Sequence, residues 1–506
     1  MVDYKKGIPR TQLVLFQQRI DELVEDENIV RIIDAYVDSL DMRALGFQIN
    51  ENDTGAPAYR PQVKLKIYVY GYMNRMRSSR RLERECKRNV EMMWLTEGLA
   101  PDFKTIADFR KDNREALKEV FKAFLKMCHR LQLLSFATVA VDGTKMRAQN
   151  SLNEIYRREQ IEKVEQDIQT RIDGYLRELD EVDERESADG VSENRERVEE
   201  ITKRLKKQQR RKDKVEAIRR LFDEDEELQS HFATDEESRL QSDKGKVRAG
   251  YNVQTAVGGQ HKLIVAAEVT NEQNDKKQLR PMIEEIRREK QELGIEEETD
   301  VIADCGYYTE KAIMDTKDAP DCRPVVPPTA EGTPPGPSRL GKGKNVPTVA
   351  YENDKFVYDE ERDVYICPEN EELNRITKRP ATGTAGERET HKYRCDAEIC
   401  LRCSARTACT TSRNGRMLRV SANRREMEAY QASLESDEHK RLISKRKEIV
   451  EHPYGTLKRS LGYSYFLVKG IEKVTGEFSL MCFGYNLLRV FNIVGFQKLM
   501  AAIGAG

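Results

Sequence analysis

Apolar residues recur at helical spacing in "TQLVLFQQRIDELV" and "NIVRIIDAYVDSL", so residues 10 to 48 are predicted to form two amphipathic helices, the second capped by Asn28. Past the "GAPAYRP" break, "QVKLKIYVYGYMNRMRSSRRLERECKRNVEMMWL" and "FKTIADFRKDNREALKEVFKAFLKMCHRLQLL" keep a helical pattern, with Trp94 on the apolar side. An all-helical module is expected over residues 1–134.

The period changes at "SFATVAVDGTKMRA". Phe136 to Val141 is short, apolar and partly β-branched, as a buried strand is, and it is predicted to end at Asp142-Gly143. Residues 153 to 230 are charge-rich with few aliphatics and are broken by "SADGVSEN", which predicts a helical hairpin inserted in the fold. Strand patterns return in "AGYNVQTAVGGQHKLIVAAEVT", where Gly258-Gly259 suits a tight antiparallel connection. A helix from about Lys277 to Leu293 follows, then a strand "TDVIAD" ending at Asp304, a helix near Thr309 to Thr316, and a short strand at "RPVVPP". The order is β, insertion, ββ, α, β, α, β. Pro327 to Thr348 is Pro-, Gly- and Lys-rich and reads as a linker, and a helix is expected from about Asn423 to Val450.

The resulting division is 1–134 helical, 135–152 the first part of an α/β core, 153–235 the charged hairpin, 236–330 the core continued, 331–422 linker and Cys-bearing insertion, and 423–506 the last helix and the rest of the core. At 506 residues the chain is longer than one hydrophobic core usually organises.

Composition changes this picture in three places. Net charge is −1, yet 35% of residues are charged, so local imbalances carry more information than the sum. From Arg60 to Arg88 ten Lys/Arg face two acids, a patch suited to phosphates, with Arg75, Arg77, Arg80 and Arg81 as candidate DNA contacts and Tyr68, Tyr70 and Tyr72 nearby. The opposing reading is a solvated helix face. "MVDYKKGIPRTQ" has no apolar signal core, and the apolar stretch from Phe478 to Phe496 is broken by Asn486, Arg489 and Asn492, so a soluble cytoplasmic protein without a membrane partner is expected.

Ten cysteines without an export signal read as reduced thiols. Five of them, Cys367, Cys395, Cys400, Cys403 and Cys409, fall close together, and Cys400-x₂-Cys403 is a candidate knuckle for a structural Zn²⁺. Partly buried thiols in a small domain are the alternative, and the short interval to Cys409 argues against an iron–sulfur cluster.

Asp142 and Asp304 each terminate an apolar strand, and Glu451 follows a long helical pattern. Carboxylates at strand carboxyl ends of an α/β sheet can converge. Three of them without histidines suit two Mg²⁺ or Mn²⁺ ions and phosphoryl transfer on a polynucleotide. Taken singly, the two aspartates also suit turn or helix-capping roles, and Glu451 also suits a surface ion pair. Asn274, Asp275, Asn252 and Tyr251 stay outside the catalytic set as turn and sheet-surface residues, and His452 is given no role.

"VAVDGTKMRA", "GYNVQTAV", "LIVAAEVTNEQND", "VIADCGYY" and "VEHPYGTLK", in this order, resemble the bacterial insertion-sequence transposases of the DDE class. The resemblance covers most of the chain. It implies an RNase H-like core, an N-terminal helical transposase domain, and Asp142, Asp304 and Glu451 as metal ligands. The family signature of Tyr, Arg, Glu and Lys keeps Glu451 and Lys458 at their spacing here, while Lys447 stands at the arginine position, beside Arg446, and Ser444 at the tyrosine position. That spacing selects Glu451 over Glu448. Lys447, Lys458 and Arg459 would hold phosphates beside the metals. The resemblance further implies binding of terminal inverted repeats, cleavage, strand transfer to target DNA, and a homo-oligomer on DNA. A non-catalytic DNA-binding derivative, a metal-dependent nuclease without strand transfer, and a zinc-centred interaction protein are the alternatives.

Overall fold

The computed structural model describes residues 19–49, 58–189, 195–243, 245–328, 351–376, 381–382 and 389–504. Residues 10–18 of the first expected helix, the tip of the hairpin and most of the Pro/Gly/Lys linker lie outside them.

The N-terminal part is helical: α1 (Ile29–Asp38), α2 (Pro61–Met73), α3 (Ser79–Cys86), α4 (Val90–Leu95), α5 (Phe103–Asp112) and α6 (Arg114–Arg130). Asn28 caps α1 as expected, its side chain accepting from the Val30 amide, a bond worth about 1 kcal/mol. The basic stretch is not one helix but two, α2 and α3, because Arg75 takes a positive φ after α2, and Asn89 then restarts the chain as the cap of α4.

β1 (Thr138–Arg147) opens the α/β part. It does not stop at Asp142-Gly143 but runs on to Arg147, because its partner strand pairs with it residue by residue from Val139↔Gly258 to Arg147↔Gly250. β2 (Ile155–Arg157) and β3 (Ser230–Phe232) clasp the base of an antiparallel pair of long helices, α7 (Ile161–Asp189) and α8 (Arg195–Glu224). The pair's own small core is Tyr156, Ile161, Ile168, Ile172, Val215, Ile218 and Phe222.

β4 (Arg239–Asp243), β5 (Lys246–Gly258) and β6 (Ile264–Thr270) follow as antiparallel neighbours, then α9 (Leu279–Leu293), β7 (Thr299–Ile302), α10 (Glu310–Met314) and β8 (Cys322–Val325). The expected order holds, with β4 added. The β5–β6 connection is longer than Gly258-Gly259 alone, with Lys262 supplying a positive φ. Among the described residues these strands form one mixed sheet in the order β4-β5-β1-β7-β8, with β6 pairing the later half of β5 on the same edge as β4. β1, β7 and β8 are parallel and β5 runs against β1.

A second antiparallel sheet holds the cysteines: β9 (Val357–Asp359), β10 (Val364–Ile366), β11 (Glu372–Arg375), β12 (Ala381–Thr382), β13 (Glu389–Cys395) and β14 (Met417–Ser421), with α11 (Ala397–Arg402) and α12 (Arg406–Cys409) in the connection before β14. The chain returns through α13 (Arg424–Leu434) and α14 (Asp437–Tyr454), widens into a π turn over Gly455–Ser460, and ends in α15 (Ile471–Gly504), broken at Gly495.

α15 is long and apolar enough to cross a membrane by length and composition. From Val474 to Leu487 it is buried and packs on α2, α6 and β6 in the largest hydrophobic core, while the apolar 18-residue window is only 22% buried. At the centre of that contact Glu477 is fully buried. It accepts from the Tyr72 hydroxyl at 2.8 Å and the Leu467 amide at 2.8 Å, and faces Arg110 at 3.5 Å and Arg77 at 3.9 Å.

Candidate functional site

The parallel register of β1 and β7 builds the site. Ala140 pairs with Ile302, the last paired residues, and Asp142 and Asp304 each lie two residues further on. Side chains alternate along a strand, so both carboxylates leave the same edge on the same face. Burial pushes the Asp142 carboxyl up to about 7; Arg446 pulls it down, and the charges of Asp304 and Asp275 add to the rise. Asp304 also performs the capping role open to it, its Oδ1 accepting from the Gly306 amide at 2.8 Å.

α14 crosses this edge and is tied to Asp142 at both ends of a two-turn segment. Arg446 Nη1 stands 3.6 Å from Asp142 Oδ1, and the Tyr454 hydroxyl donates to the Asp142 carbonyl at 2.7 Å while accepting from Thr255 Oγ1 at 2.9 Å. Glu451 lies between them, three residues before Tyr454, and is exposed. The helix passes through Pro453 and becomes the π turn from which Lys458 donates to Thr144 Oγ1 and, at 3.3 Å, to the Lys145 carbonyl. Glu448, the rival acid, turns away to Lys262 on the β5–β6 connection at 2.8 Å.

The other face of β1 carries a polar cluster. Asp275 Oδ1 accepts from Asn252 Nδ2 and Gln254 Nε2, both at 2.7 Å, with Lys145 Nζ 3.7 Å away, and the Tyr307 hydroxyl donates to Gln254 Oε1. Gly143 makes room for it: a Cβ there would lie 2.5 Å from both Asp275 Oδ1 and Gln254 Nε2. Asp275, left outside the catalytic set as a turn residue, lies in this cluster; Arg446, noted only as the neighbour of Lys447, and Tyr454, absent from the sequence reading, join the site. One signal was available for the first of them, since "YNVQTAV" sets Asn252 and Gln254 at alternate positions of an otherwise apolar strand, and both are fully buried.

The structure thus sets Asp142 beside Asp304 and brings the helix carrying Glu451 across them. No bond joins Glu451 to either aspartate, and among the described residues no three His, Cys, Asp or Glu side chains stand together as a metal-ligand set. The donors are all carboxylate oxygens, a chemistry that suits a hard divalent cation.

Of the basic residues expected at DNA, Lys447, Arg459, Arg75, Arg80 and Arg81 are exposed and Lys458 is half-buried. Arg77 is a correction: it is buried between Glu477 and the rings of Tyr463 and Tyr465, donating to the Tyr465 carbonyl at 2.7 Å. Tyr68, Tyr70 and Tyr72 are likewise core residues rather than surface contacts, because α2 is enclosed on nearly every side. Lys66 belongs to the same interior, paired with Asp34 and Asp38 at 2.6 and 2.8 Å.

All ten cysteines carry free thiols. Cys395 is buried in the core of the second sheet, and Cys367, Cys400 and Cys409 pack against that core. The Glu371 amide donates to Cys367 Sγ and the Arg416 amide to Cys400 Sγ, each at 3.3 Å.

Residues 366–491 match the family model described as transposase DDE domain, and residues 18–112 match that described as transposase domain (DUF772). The first segment contains Glu451 and the five clustered cysteines, while Asp142 and Asp304 lie outside both. No curated protein matches the chain.

Proposed function

We propose that this chain, which belongs to the insertion-sequence DDE transposases, cuts and joins DNA at Asp142, Asp304 and Glu451 in an RNase H-like core. The observation that carries the reading is the Ala140↔Ile302 register, which sets the two aspartates side by side beneath α14. The strand order β6-β5-β1-β7-β8, antiparallel in its first half and parallel in its second, supports the RNase H-like assignment. The helical pair α7–α8 and the cysteine sheet are read as insertions into that core, and residues 1–134 as a DNA-binding domain.

Asp142, Asp304 and Glu451 would hold Mg²⁺ or Mn²⁺. Bound there, the metal supplies activation of the attacking oxygen and stabilisation of the leaving oxygen. Arg446 is the cation that offsets Asp142, and Tyr454 fixes the height of α14 over β1. Glu451, exposed and one turn ahead of Tyr454, is read as the third ligand. Lys458 anchors the π turn to β1, and Lys447 and Arg459 line the approach for the phosphates of the element's terminal inverted repeats. Arg75, Arg80 and Arg81 provide a second, N-terminal contact.

For the cysteine sheet the proposal is a structural Zn²⁺ drawn from Cys367, Cys395, Cys400, Cys403 and Cys409. The two amide-to-sulfur bonds support it, since such bonds favour thiolate ligands. The protein would act as a homo-oligomer on paired ends in the cytoplasm. The test is Mg²⁺-dependent nicking and joining of labelled element-end DNA. Nicks and joined products are the expected result; nicks without joining would leave a nuclease, and specific binding without nicks would leave a binding protein.

A further inference from the structure

Four polar side chains meet on one face of the sheet where apolar residues would pack without loss. Asn252 and Gln254 are fully buried at alternate positions of β5, Tyr307 is fully buried beside them, and Asp275 reaches in from the connection between β6 and α9. Buried polar groups destabilise a fold unless each is bonded, and even bonded they gain little over apolar packing. Stability alone does not account for the cluster.

Its bonds run in one direction. A carboxylate only accepts, and Asp275 Oδ1 takes Asn252 Nδ2 and Gln254 Nε2, each at 2.7 Å. That turns the Gln254 amide oxygen away from Asp275, and the Tyr307 hydroxyl donates to it. Tyr307 in turn closes the short helical turn Cys305–Tyr307 that follows Asp304. Its amide donates to the Asp304 carbonyl at 3.1 Å, and the Gly306 amide donates to Asp304 Oδ1 at 2.8 Å. The chain of bonds therefore starts at Asp275 and ends on the turn that orients Asp304. The same Asp275 oxygen also lies under β1 at Gly143, the neighbour of Asp142, where a Cβ would come within 2.5 Å of it.

We infer that Asp275 is a positioning residue, which through Gln254 and Tyr307 holds the Asp304 turn in place against Asp142 on β1. The inference rests on the reading of Asp142 and Asp304 as a cation site. Two carboxylates that share a cation have to be held near each other against their own repulsion, and a buried, directional chain of bonds does this where a loose turn would not.

The test uses the full chain, with hydrogen exchange at the Gly306 and Tyr307 amides and Mn²⁺ binding by calorimetry as the readouts. Tyr307→Phe and Asp275→Ala cut the chain of bonds at its two ends, and Asp275→Asn, which keeps an acceptor oxygen for both amides, is the control. Each cut should speed exchange at the two amides by about tenfold while distant peptides keep their rates. Each should also weaken Mn²⁺ binding by about tenfold or more. The double variant should be no worse than the worse single one, because both cut the same chain, and the control should match the unmodified protein. Circular dichroism checks folding, and Tyr307→Phe, which keeps the ring, decides if Asp275→Ala does not fold. Unchanged exchange in Tyr307→Phe, or losses that add in the double variant, overturn the inference whatever the metal does. Faster exchange with undiminished Mn²⁺ binding, where Asp142→Asn abolishes that binding, overturns it as well. Faster exchange where Asp142→Asn binds Mn²⁺ as the unmodified protein does keeps the hold on the turn and rejects the cation site.

Discussion

Asp142 and Gly143 have to be understood together. The carboxylate needs the sheet edge that β7 vacates after Ile302, and the glycine leaves the space into which Asp275 is pulled by Asn252 and Gln254. Gly143→Ala would push a methyl group onto the Asp275 carboxylate and the Gln254 amide, neither of which is at the end of a loose chain. It should cost about 1–3 kcal/mol of stability, the usual range for overpacking. It should also lower nicking without weakening DNA binding, and chemical denaturation alongside the two assays reads all three. A second residue-scale expectation concerns Glu289, which is 4% exposed and 3.9 Å from Lys122. Burial pushes its carboxyl up to about 7, so the folded state holds this proton more tightly than the unfolded chain does. Its contribution therefore favours folding at low pH and is lost as pH rises from about 4.5 to about 7. Glu289→Gln should raise the thermal midpoint at pH about 8 and flatten that part of the profile; an unchanged profile would mean that this carboxyl does not titrate there.

Among the elements, α14 and α15 carry opposite lessons. α14 was legible as a helix, but its working features were not: Arg446 and Tyr454 acquire their roles only from where β1 lies, and no spacing within the helix encodes that. The passage through Pro453 into a π turn is likewise a tertiary outcome, held by Lys458 on Thr144 and by the burial of Leu457. The basic patch failed in the other direction. Its charges are real, but α2 is wrapped by α1, α4 and α15, so Arg77 pairs with the buried Glu477 and the buried Lys66 ammonium reaches Asp34 and Asp38 at the rim. Glu477 on α15 is the fixed point of that interior. Glu477→Gln keeps a polar group for Tyr72 and Leu467 but leaves Arg110 and Arg77 without their charge partner. A loss of about 3–5 kcal/mol is expected, visible as a large fall in thermal midpoint. A neutral effect would show that the guanidiniums find other acceptors.

Across the whole molecule, the order β, insertion, ββ, α, β, α, β was readable because each strand carries an apolar run bounded by turn residues. The β4 strand was not, since Arg239–Asp243 is polar and becomes a strand only by pairing with β5. The positions of Asp142 and Asp304 were legible as strand-borne carboxylates; their adjacency depends on strand register, a property of two segments far apart in sequence. Glu451 is implied by the resemblance, whose spacing to Lys458 selects it over Glu448, and the fold sets both on α14, with Glu448 paired to Lys262. The central claim is that these three carboxylates act as one site. It is tested most directly by Mg²⁺-dependent nicking of labelled element-end DNA by the unmodified chain, Asp142→Asn, Asp304→Asn and Glu451→Gln, with DNA binding measured in parallel. The account predicts that each variant binds normally and loses nicking by about a thousandfold or more, several kcal/mol of transition-state stabilisation. Full activity in Glu451→Gln would contradict it and leave the two aspartates without their third partner.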